Sequence, residues 1–132
     1  NPPIINEDGL QSRDFVHVRD AAAASILALE SDNANYQVFN VGSGKSTSIK
    51  EVADTISKLL GSTVTSQVSL KFRKNDIRHC TANTEKIKKY LGWEPAIGFE
   101  DGMKELIAWG ENEKSVDTFD KAASELTQRG LA

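Results

Sequence analysis

The chain has 132 residues, 39% of them hydrophobic and 27% charged, with a net charge of −3. This is one domain of ordinary size with soluble, globular composition and enough apolar matter for a core. The slight acidic excess argues against a general nucleic-acid binder. The lack of any run of about 18 apolar residues argues against a membrane span, and the single cysteine, Cys80, excludes an intrachain disulfide and points to a reducing, cytoplasmic setting.

Asn1-Pro2-Pro3-Ile4-Ile5 enters a strand pattern without a leader or an initiating Met, the start expected of a piece of a longer chain. Pro3 to Asn6 reads as a strand, Glu7-Asp8-Gly9 as a turn, and Arg13 to Val18 as a second strand closing a hairpin. Asp20 is placed to cap a helix over Ala21 to Glu30, with Ala22, Ile26 and Leu29 on one face. Tyr36 to Val41 is rich in β-formers and reads as a strong strand ending at Gly42-Ser43-Gly44.

Ser48 and Glu51 form a capping box for a helix through Ile49, Val52, Ala53, Ile56, Leu59 and Leu60, closed by Gly61. Thr63 to Phe72 reads as an edge strand, and Arg73 to His79 as a loop. A short helix from Thr84 to Leu91 turns Ile87, Tyr90 and Leu91 inward, stops at Gly92 and sets Trp93 behind it. After Pro95 a helix opens at Phe99 with Met103, Leu106 and Ile107 on one side, and a helical tail from Ser115 to Arg129 follows. The boundary between the main domain, 1–112, and the helical tail, 113–132, falls here. The fold class is α/β, with too few strands for a complete doubly wound domain.

Gly42-Ser43-Gly44-Lys45-Ser46-Thr47 invites comparison with a P-loop. That motif needs a glycine where this chain has Phe39, and the capping box starts the helix several residues too late, so a glycine turn is the better reading. A dinucleotide fingerprint, a serine nucleophile elbow, a Tyr-x-x-x-Lys pair and metal-ligand spacing are all missing; His17 and His79 stand far apart. His17, within a strand pattern, reads as structural. Two arginines remain, Arg13 after the glycine turn and Arg73 after the edge strand. Their guanidinium forks suit phosphate oxygens, and Asp76 suits sugar hydroxyls. From the residues alone, pairing of these arginines with nearby acids such as Asp14 and Asp76 is the stronger expectation.

These motifs, Glu7 through Arg13-Asp14-Phe15-Val16-His17 to Asp20, Val38 to Gly44 with the helix from Ser48, Phe72 to His79, Lys86 to Pro95 and Phe99 to Met103, resemble the carboxy-terminal half of the extended short-chain dehydrogenase/reductase family. Its members of UDP-glucose 4-epimerase type are NAD-dependent nucleotide-sugar epimerases and dehydratases. The resemblance runs to about Trp109. It implies a partial, carboxy-terminal portion of an extended Rossmann-type epimerase, with short strands and several packed helices, that binds a nucleotide-diphosphate sugar. It implies Arg13 and Arg73 on the diphosphate, Asp76 on the ribose, and Ile4 and Ile5 at the wall of the base pocket. NAD would belong to the parent enzyme and not to this piece, whose missing amino-terminal Rossmann half carries the cofactor glycines and the catalytic Tyr-x-x-x-Lys. Alone, the piece is expected to be inactive, with apolar surface left for that half or for self-association. A non-enzymatic interaction domain and the P-loop nucleotide binder are the competing readings.

Overall fold

The computed structural model describes residues 2–71, 76–114, 116 and 118–130. Its strands are short and lie in two small sheets. Strand β1, Ile4–Ile5, pairs in parallel with β4, Gln67–Val68, with Ile4 opposite Gln67. Strand β2, Ser12–Arg13, pairs antiparallel with β3, Thr47–Ser48, with Arg13 opposite Thr47. The expected hairpin between the first two strands is therefore not formed. The Asp8 carboxylate accepts from the Leu10 amide at 2.9 Å, and Gly9 turns with φ +80°. The chain then crosses to the second sheet, and the carbonyls of Gly9 and Gln11 accept from Lys50 and Ile49. Those amides open a helix and have no partner within it, so this edge of the chain serves the helix rather than β1. A side chain at Gly9 would press on Ile5 and Lys50 at 3.2 Å, so the close approach requires glycine.

Helix α1, Val18–Glu30, begins three residues before Ala21, the start expected from a cap at Asp20. His17 caps it, its Nδ1 accepting from the Arg19 amide at 3.2 Å. Asp20 is instead buried in the first turn, where it accepts from the Ile97 amide at 2.9 Å and ties α1 to the segment that leads into the helix opening at Phe99. Residues Val16 to Val18 are accordingly not strand. The inward residue of α1 is Ala24, while Ala22, Ile26 and Leu29 face outward.

Tyr36 to Val41 is not a strand. Tyr36 sits at φ +59°, and no strand of the described residues pairs with the segment. Phe39 alone turns inward, against the cluster of Ala24, Ile87 and Trp93 that forms the core with Val16, Leu27 and Leu91.

Helix α2, Ile49–Leu59, is built as its sequence predicts. The Ser48 hydroxyl accepts from the Glu51 amide, Glu51 accepts in return from the Ser48 amide, and Gly61 follows the end at φ +60°. Of the long edge strand expected over Thr63 to Phe72, only β4 pairs among the described residues, and Leu70 breaks the line at φ +57°. Helix α3, Glu85–Leu91, buries Ile87 and stops at Gly92 with φ +67°, placing Trp93 in the core; Tyr90 stays largely exposed. Helix α4, Phe99–Gly110, packs on α2, with Met103 and Ile107 half-buried and Leu106 exposed. Helix α5, Phe119–Gln128, closes the described chain, and Val116 lies outside it and exposed. No helix among the described residues is long and apolar enough to cross a membrane.

Candidate functional site

Arg13 ends β2 with a half-buried side chain, and the fold brings Asp76 to it from 63 residues away. Arg13 Nη2 donates to Asp76 Oδ1 at 2.9 Å, while Nη1 donates to the carbonyls of Ser12 and Arg78 at 2.8 and 3.1 Å. Of the two nearby acids, Asp76 is the one that takes Arg13; Asp14 turns elsewhere. A guanidinium has five N–H donors. Those on Nε and the second on Nη2 have no partner among the described residues and remain for an anion. Arg73 lies outside the described residues.

Among the described residues Asp14 is the busiest side-chain acceptor. Its carboxylate receives the amide and hydroxyl of Ser43, the amide of Gly44 at 2.9 Å and the amide of Ala82 at 3.1 Å. Burial pushes the Asp14 carboxyl up, but hydrogen bonds from Ser43, Ala82 and Gly44 outweigh it and hold the group below the ordinary aspartate range. The amides that a phosphate-cradling loop would aim at its ligand are thus already given to a carboxylate of the same chain. Gly42 is buried beneath this contact, with no room for a side chain. The loop does not fit a nucleotide phosphate, and by the same geometry it does not fit the diphosphate of NAD.

Ile4 and Ile5 border an apolar cleft of about 560 Å³ between β1 and α2, whose other walls include Ile49, Val52, Ile56 and Val64. Ile5 is buried and Ile4 is 46% exposed. The cleft and Arg13 are joined through one short path: Arg13 pairs with Thr47 across β2 and β3, and Ile49, two residues on, lines the cleft. A second cavity of about 450 Å³ lies between the start of α1 and α4, walled by Phe15, Val16, Phe99, Met103 and Leu106. His17 borders it, with Nε2 3.5 Å from Glu105, which also meets Arg19. His17 lies outside any strand and caps α1. Among the described residues no group of three His, Cys, Asp or Glu side chains stands close enough to hold a metal.

The residues missed by sequence reasoning are Ser12, Asp14 and His79. Ser12 is buried, its hydroxyl 2.9 Å from His79 Nδ1, and it accepts from the Ser46 hydroxyl at 2.7 Å. No local sign in Gln11-Ser12-Arg13-Asp14 marks Ser12 or Asp14, because their partners lie far along the chain.

The sequence model of the GDP-mannose 4,6 dehydratase family matches residues 2–106. The UDP-glucuronate 4-epimerase of Thermodesulfobacterium geofontis is 34% identical over 105 residues, which are 79% of this chain and 32% of that protein. The UDP-glucose 4-epimerase of Thermotoga maritima, solved with UDP-glucose, superposes with a TM-score of 0.78 at 30% identity, covering 84% of this chain and 35% of that one. The dTDP-glucose 4,6-dehydratase of Bacillus anthracis, solved with NAD, gives 0.72 at 30% identity, covering 84% and 34%. The chain spans about a third of the length of each. Its α/β fold is that of part of a Rossmann-type epimerase, and the chain belongs to the NAD-dependent epimerase/dehydratase family.

Proposed function

We propose that this chain is the carboxy-terminal, nucleotide-diphosphate-sugar-binding part of an NAD-dependent sugar epimerase or dehydratase. The observation that carries the reading is the meeting of Arg13 and Asp76 at the end of β2, one strand pair away from the apolar cleft that Ile4 and Ile5 border. Among the described residues Arg13 keeps two N–H donors for diphosphate oxygens, Asp76 is a carboxylate suited to ribose hydroxyls, and the cleft takes the base. Arg73, by family resemblance, adds a second guanidinium. In the ligand-free chain Arg13 rests on Asp76, so a diphosphate must share or replace that contact. Asp76 is exposed, so the exchange requires little desolvation.

NAD belongs in this reading to the parent enzyme. This chain binds and orients the nucleotide; hydride transfer and the catalytic tyrosine belong to an amino-terminal Rossmann half. The support for that partner is the unfilled apolar surface. Leu29, Val38 and Tyr36 are 87%, 82% and 105% exposed, and the strand-like Tyr36 to Val41 segment has no ladder. A parallel strand of the NAD-binding half would complete it. Without that half, the same surface favours self-association.

Calorimetric titration of the chain with UDP, dTDP, GDP and ATP, with and without magnesium, tests the reading. Metal-independent binding of a nucleoside diphosphate, weakened about tenfold or more by Arg13→Ala, is the expected result. Binding that survives Arg13→Ala unchanged overturns the site, and magnesium-dependent binding of ATP alone favours a phosphate loop instead.

A further inference from the structure

The segment from Asp76 to Cys80 is exposed along its whole length, yet it supplies two of the three acceptors that hold Arg13. Its attachment to β2 is thin. Ser12 and His79 form a single parallel bridge, in which the Ser12 amide donates to the Arg78 carbonyl at 2.9 Å and the Cys80 amide to the Ser12 carbonyl at 3.1 Å. The Arg78 guanidinium, divided between Glu7 and Asp8 at 2.8 and 2.7 Å, adds a surface contact that solvent screens.

Side-chain chemistry reinforces the bridge where the backbone does not. The Ser46 hydroxyl donates to Ser12 Oγ at 2.7 Å, which leaves the Ser12 proton to point along the 2.9 Å contact to His79 Nδ1. The donor hydroxyl is buried, so losing its acceptor costs more than losing a solvated contact.

We propose that Ser12 and His79 are positioning residues that hold Asp76 and the Arg78 carbonyl against Arg13, presenting the guanidinium to a nucleotide diphosphate. The inference rests on the reading of Arg13 and Asp76 given above. Neither residue touches the ligand. Ser12 shares its carbonyl with Arg13 and its hydroxyl with His79, so the two contacts move together. His79→Ala lets the Asp76 to Cys80 segment swing away and scatters the acceptors of Arg13.

Amide hydrogen exchange at Cys80 and titration with UDP, dTDP and GDP, on the same wild-type and variant chains, test this. His79→Ala and Ser12→Ala are expected to speed Cys80 exchange and weaken diphosphate binding, each about fivefold, the equilibrium worth of one ordinary hydrogen bond. His79→Asn, whose Oδ1 stands near the place of Nδ1 and accepts from Ser12, is expected to restore both. His79 is exposed, so its variants fold. If none of the three diphosphates binds the wild-type chain, or if Arg13→Ala binds as wild type does, the site and its positioning fall together. If Arg13→Ala abolishes binding while His79→Ala leaves either the Cys80 exchange or the affinity unchanged, the positioning role alone is overturned.

Discussion

Two stretches of this chain carry strand-like sequence, Ser12 to Asp20 and the shorter, more apolar Tyr36 to Val41, and the fold treats them in opposite ways. Ser12 to Asp20 has its polar side chains committed inside the molecule: Ser12 to His79, Asp14 to Ser43, Gly44 and Ala82, His17 to the start of α1, and Asp20 to Ile97. Tyr36 to Val41 has its backbone without a ladder, Tyr36 and Val38 in solvent, and Phe39 alone in the core. The first stretch organises four other segments, whereas the second presents a surface. A single substitution in the first therefore disturbs many partners, and one at the exposed Tyr36 or Val38 of the second disturbs few among the described residues.

The comparison is broken most severely at Asp14. Asp14→Ala leaves the amides of Ser43, Gly44 and Ala82 without an acceptor, and the expected loss is about 3 kcal/mol. For a domain of this size that lowers Tm by on the order of 10 °C. A variant within 1 °C of wild type in a thermal melt contradicts the organising role. The same carboxylate sets an acid limit. Its folded pKa lies below the ordinary aspartate value of 3.8, so folding is favoured by the ionised form. That stabilisation is complete above the unfolded value and is lost as pH falls through the folded one. Urea midpoints at about pH 5 and about pH 3 should therefore fall further for wild type than for Asp14→Asn, and equal falls rule the contribution out.

Gly42→Ala asks the same question from the other side of the contact. The added carbon would stand 2.6 Å from both Ala82 Cβ and Asp14 Oδ2, and neither can retreat without breaking the loop from its anchor. The expected cost is about 1–3 kcal/mol, smaller than at Asp14 because the hydrogen bonds stretch before they break. Urea denaturation measures it, and an unchanged midpoint shows that the loop is not held as described.

What could be read in the sequence divides along the same line. The α2 capping box joins Ser48 to a residue three places away, and the stops at Gly61 and Gly92 are local conformational facts, so pattern alone placed them. The burial of Ile87 and Trp93 followed from helical spacing and from the chain reversal at Gly92. The anchors of Ser12, Asp14 and Asp20 reach across 67, up to 68 and 77 residues. No local propensity encodes such pairings, and Asp20 was read as a cap because a carboxylate at a helix start has a local use as well as a distant one. The residues alone offer both Asp14 and Asp76 as partners of Arg13, and only the fold selects Asp76.

Tyr36 to Val41 failed for a different reason. Its β-formers describe a surface that fits beside another strand, and strand structure exists only where a second strand is present. That makes Val38→Lys the gentlest and the most discriminating substitution. Val38 is 82% exposed, so within this chain the change should move stability by no more than about 0.5 kcal/mol. A lysine on an exposed strand edge opposes pairing with another chain by placing a charge where an apolar neighbour would sit. Sedimentation velocity over a range of concentrations should then show wild type associating and Val38→Lys remaining monomeric, with superimposable melts. A wild-type chain that stays monomeric throughout would show that this surface does not draw a second copy. A large loss of stability in Val38→Lys would instead show that the segment is integral to the domain, and the contrast between the two stretches would no longer hold.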